Sequence, residues 1–416
     1  MNTHTFKFLT TLGLGTMLIG GCSLYAEPHK PAPVKHAAQS TRKTTKNVSK
    51  TVRKTASNVK TAGPVKTTTK TGGKLKVIAF YDQTMSHVSP DPFLFVSAHP
   101  ELVTYLSPFW YEVTASGTVI AKPEGNAPAL AKQSHLPLMP LFNNYRGTDG
   151  MLTSTALRTK AVDTIAHLVT TKHYAGVQID FQKLKPADRT DLVDFMNALH
   201  SKMPKNTQIS MSVVPLTAGT GESGAYDLKA LDKDVNSMVL MAYDLHSNGT
   251  MPGPISPYTW VQKGVAAALK AGVKPSKLYL GIADYGYLWK SGSTKAITIP
   301  LKAMYQHKYG TYTWNPTAKE AYDHYVSKGV SYTIWFVNDR AAVDRINLAE
   351  KDHLGGVAFW RIGYEDARWW NRVAVALKSS SKATTAVTKK SKTPNAQKTK
   401  SMTKNKPTSP QHRSKT

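Results

Sequence analysis

Eight apolar runs of six to nine residues recur between positions 75 and 361, and this rhythm constrains the fold more than any other feature. They are Leu75–Tyr81, Leu102–Trp110, Leu136–Phe142, Gly176–Gln182, Gln208–Val214, Val235–Tyr243, Leu278–Tyr285 and Gly356–Arg361. Helix-like stretches lie between them, among others Arg158–Thr171, Arg189–Met203, Trp260–Ala271 and Ala341–Asp352. Strand–helix alternation predicts parallel strands, because a parallel neighbour needs a long crossover. Eight such strands fit a closed barrel better than an open sheet, so the expected fold is α/β, a (β/α)8 TIM barrel over 74–377. Only residues from about 288 to 330 break the rhythm, which predicts a small insertion between the last two βα units.

Charge marks the limits of that domain. Residues 28–73 hold 11 Lys/Arg and residues 378–416 another 11, with no Asp or Glu in either stretch. Every acidic residue except Glu27 lies in 74–377, where 31 basic residues face 25 acidic ones. The flanks are Lys, Thr, Ala, Ser and Pro, too poor in large apolar side chains to offset chain entropy. Disordered basic tails are therefore expected over 22–73 and 378–416. No aromatics or RGG-like repeats interleave the charges, so nucleic acid is not an expected partner. Anionic wall polymer or membrane surface is.

The N-terminus carries Lys7, an apolar run from Phe8 to Ile19, then Gly20-Gly21-Cys22. This pattern predicts a signal peptide over 1–21 and is similar to the bacterial lipoprotein type, with Cys22 the lipidated first mature residue. Cys22 is the only cysteine, which excludes an intramolecular disulfide. The expected location is extracytoplasmic, either anchored by lipid or wall-associated, and the expected state is a monomer.

In a barrel of this type the chemistry sits where the strands end. Those ends supply Tyr81, Trp110, Asn143, Gln178, Asp180, Gln182, Tyr243, Asp244, Asp284, Tyr285 and Trp360. Aromatic rings beside amides and acids suit a sugar, since rings stack on pyranose faces while polar groups take the hydroxyls. Tyr81 and Trp110 stand equally as rim stackers or as core, and Trp360 as a sugar floor or as barrel filling. No His or Cys cluster has metal spacing, and no nucleophile elbow, phosphate loop or dinucleotide fingerprint occurs. Neither metal nor cofactor is expected.

Several ordered motifs resemble the family 18 glycoside hydrolases, especially their bacterial spore-germination and cortex-lysing branch. The family's D-G-x-D-x-D-x-E strand aligns with Ala175-Gly176-Val177-Gln178-Ile179-Asp180-Phe181-Gln182. Its M-x-Y-D matches Met241 to Asp244, and G-I-x-x-Y-G-Y-x-W matches Gly281 to Trp289. PGPISPYTWVQKGV and GGVAFWRIGYEDARWW complete the likeness.

The resemblance implies a substrate-assisted mechanism. The final acid of the motif protonates the departing oxygen, and the sugar's own N-acetyl group attacks the anomeric carbon. It implies that Asp180 and Tyr243 hold the acetamido group, that Trp360 floors the sugar site, and that Gln182 stands where the proton donor belongs. Residues 178, 180 and 182 share one face of the strand. The expectation is an envelope-associated barrel that binds N-acetylglucosamine-containing glycan, peptidoglycan or chitin-like, with little or no hydrolysis. The alternatives are a hydrolase using another carboxylate, with Asp284, Asp244 and Glu365 as candidates, or a scaffold whose only role is envelope attachment.

Overall fold

The computed structural model describes residues 74–82, 96, 99–218, 221–305 and 311–390. The expected signal peptide, Cys22, the linker to 73 and the tail from 391 lie outside the described residues.

Eight parallel strands close into a barrel. They are β1 (Lys76–Tyr81), β2 (Tyr105–Val113), β4 (Leu141–Asn143), β5 (Gly176–Asp180), β6 (Gln208–Val213), β7 (Ser237–Leu240), β8 (Leu278–Ala283) and β14 (Gly356–Trp360). The order is β1-β14-β8-β7-β6-β5-β4-β2, and β2 pairs back onto β1. A short strand, β3 (Val119–Ala121), runs antiparallel along the extended end of β2. The helices outside are α1 (Ala127–Gln133), α2 (Thr155–Thr171), α3 (Arg189–Lys202), α4 (Leu228–Leu231), α5 (Tyr258–Lys270), α7 (Asp339–Lys351) and α8 (Ala367–Lys390). The last helix runs past the expected boundary at 377. Nothing from 378 to 390 breaks a helix, and the first proline comes at Pro394.

Strand alternation sorts the side chains into two cores. One fills the lumen with Ile78, Phe80, Met139, Leu141, Val239, Tyr279 and Ala358. The other, far larger, lies between barrel and helices and takes the opposite parity, for example Val77, Ala79, Phe142, Leu240 and Phe359.

The insertion is larger than the sequence suggested. A five-stranded antiparallel sheet occupies 285–336 rather than about 288–330. It comprises β9 (Tyr285–Lys290), β10 (Ala296–Pro300), β11 (Thr313–Asn315), β12 (Glu320–Ser327) and β13 (Val330–Phe336), with a one-turn helix α6 (Leu301–Tyr305). Its first strand starts one residue after Asp284, so the apolar run there spans two elements in two sheets. Its last two strands turn through Lys328 and Gly329, both at positive φ, as a tight two-residue hairpin requires.

A buried ion pair ties the insertion to the barrel. Glu320 accepts hydrogen bonds from the backbone N–H of Ile255 (2.8 Å) and Ser256 (2.6 Å) and lies 3.2 Å from Arg345. Burial pushes the Glu320 carboxyl up to about 7, and Arg345 holds it back from a larger rise. Removing one member of such a pair typically costs about 3–5 kcal/mol.

Candidate active site

The centre of the barrel mouth is the end of β5. Asp180 is the last strand residue, 6% exposed, with its side chain on the lumen face beside Asn143 of β4. Two residues on, the Gln182 amide donates to both oxygens of Asp180, at 2.9 and 3.0 Å. A carboxylate offers only acceptors, so the nitrogen end of the amide must face it. The Gln182 backbone is clamped by the buried Asn144 side chain. Asn144 accepts from the Gln182 N–H (2.8 Å) and donates to its carbonyl (2.7 Å), acting as an extra strand.

Burial pushes the Asp180 carboxyl up to about 6. Hydrogen bonds from Gln182 and Ser212 pull it down, and the charge of Glu222 adds to the rise. Below Asp180, Gln178 is fully buried and donates to Ser212 at 2.9 Å. It is a floor beneath the site rather than a sugar contact, because its side chain lies one step deeper in the lumen than Asp180.

The β7 end contributes Tyr243 and Asp244, both half-buried. Gly281 of β8 makes room for Tyr243. A Cβ at 281 would lie 2.9 Å from the tyrosine ring and 2.6 Å from the Leu240 carbonyl oxygen. Burial raises the Tyr243 hydroxyl far above its ordinary value, and the charges of Asp180, Asp244 and Asp284 push the same way, so it remains a neutral donor. Asp244 adopts φ of 61°, a left-handed backbone that Asp tolerates better than most residues. It accepts a 2.6 Å hydrogen bond from the hydroxyl of Tyr285. Burial pushes Asp244 up to about 6, against hydrogen bonds from Tyr285 and Tyr287. Tyr285 itself is buried, so it serves as a prop for Asp244 and not as the substrate contact expected from the sequence.

Trp360 closes the floor. It is half-buried on the lumen face of β14 and meets Phe80 edge to face at 5.3 Å. Its neighbour Phe359 points the other way, onto Trp369 and Trp370.

Three further expected site residues are also placed away from the open mouth. Tyr81 has the parity of Val77 and Ala79, faces the helices and belongs to the outer core. Phe80 takes the lumen position instead. Trp110 is fully buried in the same outer core, against Tyr174. The pairing of β2 with β4 slips between Phe109 and Tyr111, and such a bulge redirects the residue between them. Asp284 is 0% exposed, and neither of its oxygens has a hydrogen-bond partner among the described residues. Burial raises it well above the carboxylate range, and the nearby charge of Glu365 raises it further. Glu365 is sealed too, accepting from the Gly363 N–H and the Trp370 indole, both at 2.8 Å. Neither can reach a glycosidic oxygen.

Sequence reasoning missed Glu222. The loop after β6 brings it beside the β5 end, where it accepts from the Lys183 N–H (2.5 Å) and the Tyr226 hydroxyl (3.2 Å). It is partly exposed, and burial raises its carboxyl against those hydrogen bonds. Glu222 lies in a Gly- and Ser-rich loop, GTGESGAY, with no strand position to mark it.

A family model for glycosyl hydrolases family 18 matches residues 76–365. Among curated relatives, a cortical fragment-lytic enzyme from Bacillus anthracis is 27% identical over 287 residues, covering 64% of this chain and 66% of that protein. The chain thus spans just under two thirds of that relative's length. Among solved structures, the spore cortex-lytic enzyme of Bacillus cereus aligns with a TM-score of 0.64 at 24% identity, covering 72% of this chain and 74% of that one. A chitinase from Chromobacterium violaceum aligns with a TM-score of 0.67 at 22% identity, over 73% of this chain and 99% of that chain.

Proposed function

We propose, from the premise that this chain belongs to glycosyl hydrolase family 18, that its barrel mouth binds N-acetylglucosamine-containing glycan and cleaves it slowly or not at all. The observation that carries this reading is the Gln182–Asp180 contact. A pyranose ring lies over Trp360, its acetamido group turned toward Asp180 and the Tyr243 hydroxyl. Ionised Asp180 accepts the acetamido N–H, and Tyr243 donates to the acetamido oxygen. With the Gln182 nitrogen committed to Asp180, its carbonyl oxygen is the end left for the ligand. A glycosidic oxygen then meets an acceptor instead of an acid. General acid assistance is worth about 10²–10⁴-fold, and this site lacks it at position 182.

One observation favours a second reading, a residual hydrolase. Glu222 is a carboxyl with raised proton affinity beside the same strand end. The relatives named as lytic enzymes also support cleavage. Titration of the full chain with chitooligosaccharide and with peptidoglycan fragments, followed by product analysis after prolonged incubation, separates the two. Binding without products supports the first reading. Products that vanish in Glu222→Gln establish the second, and absence of binding to either ligand defeats both.

The reading also places the protein outside the cytoplasm, held by a lipid on Cys22 and by the basic flanks. Sedimentation with anionic wall material across a salt series tests the flanks, since an electrostatic attachment must weaken as salt rises.

A further inference from the structure

A groove of about 610 Å³ lies away from the Asp180 site, where the insertion meets the starts of α7 and α8. Its walls include Tyr312, Trp314, Asp339, Arg340, Arg368 and Arg372. Helices that follow barrel strands begin on the strand-end side, so the groove opens on the same side of the barrel as Asp180.

The charges in it do not balance. Arg368 and Arg372 are one turn apart on α8 and share a single buried carboxylate, Asp339, at 3.9 and 3.2 Å. Asp339 is the first residue of α7, whose N-terminal dipole already favours it as an anion. Arg368 also donates to the Tyr312 hydroxyl at 3.2 Å. Arg340 has no carboxylate partner among the described residues. Its guanidinium lies over the Trp314 ring, 4.0 Å from the centroid. Stacking fixes a guanidinium in place while leaving its N–H edge free for a bidentate oxyanion. The groove lining thus holds three guanidinium groups and one carboxylate, beside two aromatic rings. The Tyr312 ring is itself braced edge-on by Phe336 at 5.1 Å.

The geometry points to a second glycan subsite here, selective for a saccharide bearing a carboxylate or phosphate group. It deepens the glycan-binding reading above and rests on it for the sugar part of the ligand. The rings take the pyranose and Arg340 and Arg372 take the oxyanion. A neutral chitooligosaccharide would bind at Asp180 without using this groove.

The test titrates the full chain, at about 0.15 M salt to damp the contribution of its basic flanks. The ligands are chitotetraose and a disaccharide of N-acetylglucosamine and N-acetylmuramic acid. Arg340→Gln and Arg372→Gln should each weaken the acidic disaccharide about tenfold and leave chitotetraose unchanged. Arg340→Lys, which keeps the charge but not the fork, should fall between. Arg340 is exposed, and unchanged thermal melting of its variants excludes misfolding. Equal loss for both ligands, or no loss for either, overturns the subsite. If chitotetraose fails to bind the unmodified chain while the disaccharide still depends on Arg340, the Asp180 reading falls and the groove stands. Competition by inorganic phosphate stronger than by acetate would assign the groove to phosphate-bearing polymer, and the reverse order to acidic sugars.

Discussion

Two places at the ends of the barrel strands each bring a carboxyl against a second polar side chain, with opposite results. At the β5 end, Asp180 faces an amide, Gln182, which supplies it with hydrogen bonds, and the pair borders the open mouth. At the β8 and β14 ends, Asp284 faces a second carboxyl, Glu365, and both are sealed from solvent. The first pair can carry a charge and meet a ligand. The second is held toward its protonated forms by burial. Access to the open mouth, rather than the presence of acids, separates the two pairs.

The sharpest way to break this contrast is Gln182→Glu, which would put a proton donor at position 182. It should raise release of reducing ends by about 10²–10⁴-fold over the unmodified chain. Unchanged activity with intact binding would show that a proton donor at 182 is not what the site lacks. Asp180→Ala should weaken chitooligosaccharide by about 10–100-fold, as expected for losing a hydrogen bond to a charged group, measured by calorimetry. The pH dependence of that affinity is a milder probe. In the proposed reading Asp180 binds the glycan as the ionised form, and its carboxyl is pushed up to about 6. Affinity should thus hold at pH 7–8 and drop about tenfold one unit below that value. A flat profile down to pH 5 would remove Asp180 as the acceptor.

The smallest effect concerns the sealed pair. Carboxyls raised in the folded state add stability below their unfolded pKa and lose it as pH rises through the folded value. The protein should accordingly be less stable at pH 8 than at pH 5 on account of Asp284 and Glu365. Asp284→Asn should raise Tm at pH 8, on the order of 2–4 °C, and less at pH 5. An equal shift at both pH values would mean that Asp284 is not the proton-holding partner.

The barrel was legible because its strands are near-continuous apolar runs bounded by helical periodicity, and most of them lie within a few residues of the expected positions. The third strand begins five residues late, at Leu141, and β2 is displaced whole by three residues toward its C-terminus. That displacement and its bulge misplaced Trp110. Tyr81 was misread for a simpler reason, since the last apolar residue of a strand is as often on the helix side as in the lumen. Counting from Ile78 and Phe80 would have corrected it. The insertion was underestimated because β9 continues the apolar run of β8 with only Asp284 between them. Glu222 left no signal at all, being one acid in a flexible-looking loop that tertiary packing folds over the β5 end.

The sequence by itself determined the alternating architecture, the confinement of nearly all acids to one domain, and an amide at 182 two residues after an acid at 180. Those are properties of periodicity, composition and identity, readable one residue at a time. Only the tertiary structure decided which carboxyls face solvent, that Gln182 turns its nitrogen onto Asp180, that Asp244 is held by Tyr285, and that two arginines share one buried aspartate. Each depends on distances between residues far apart in the chain. Burial and charge, which set proton affinity, exist only once those residues have been brought together.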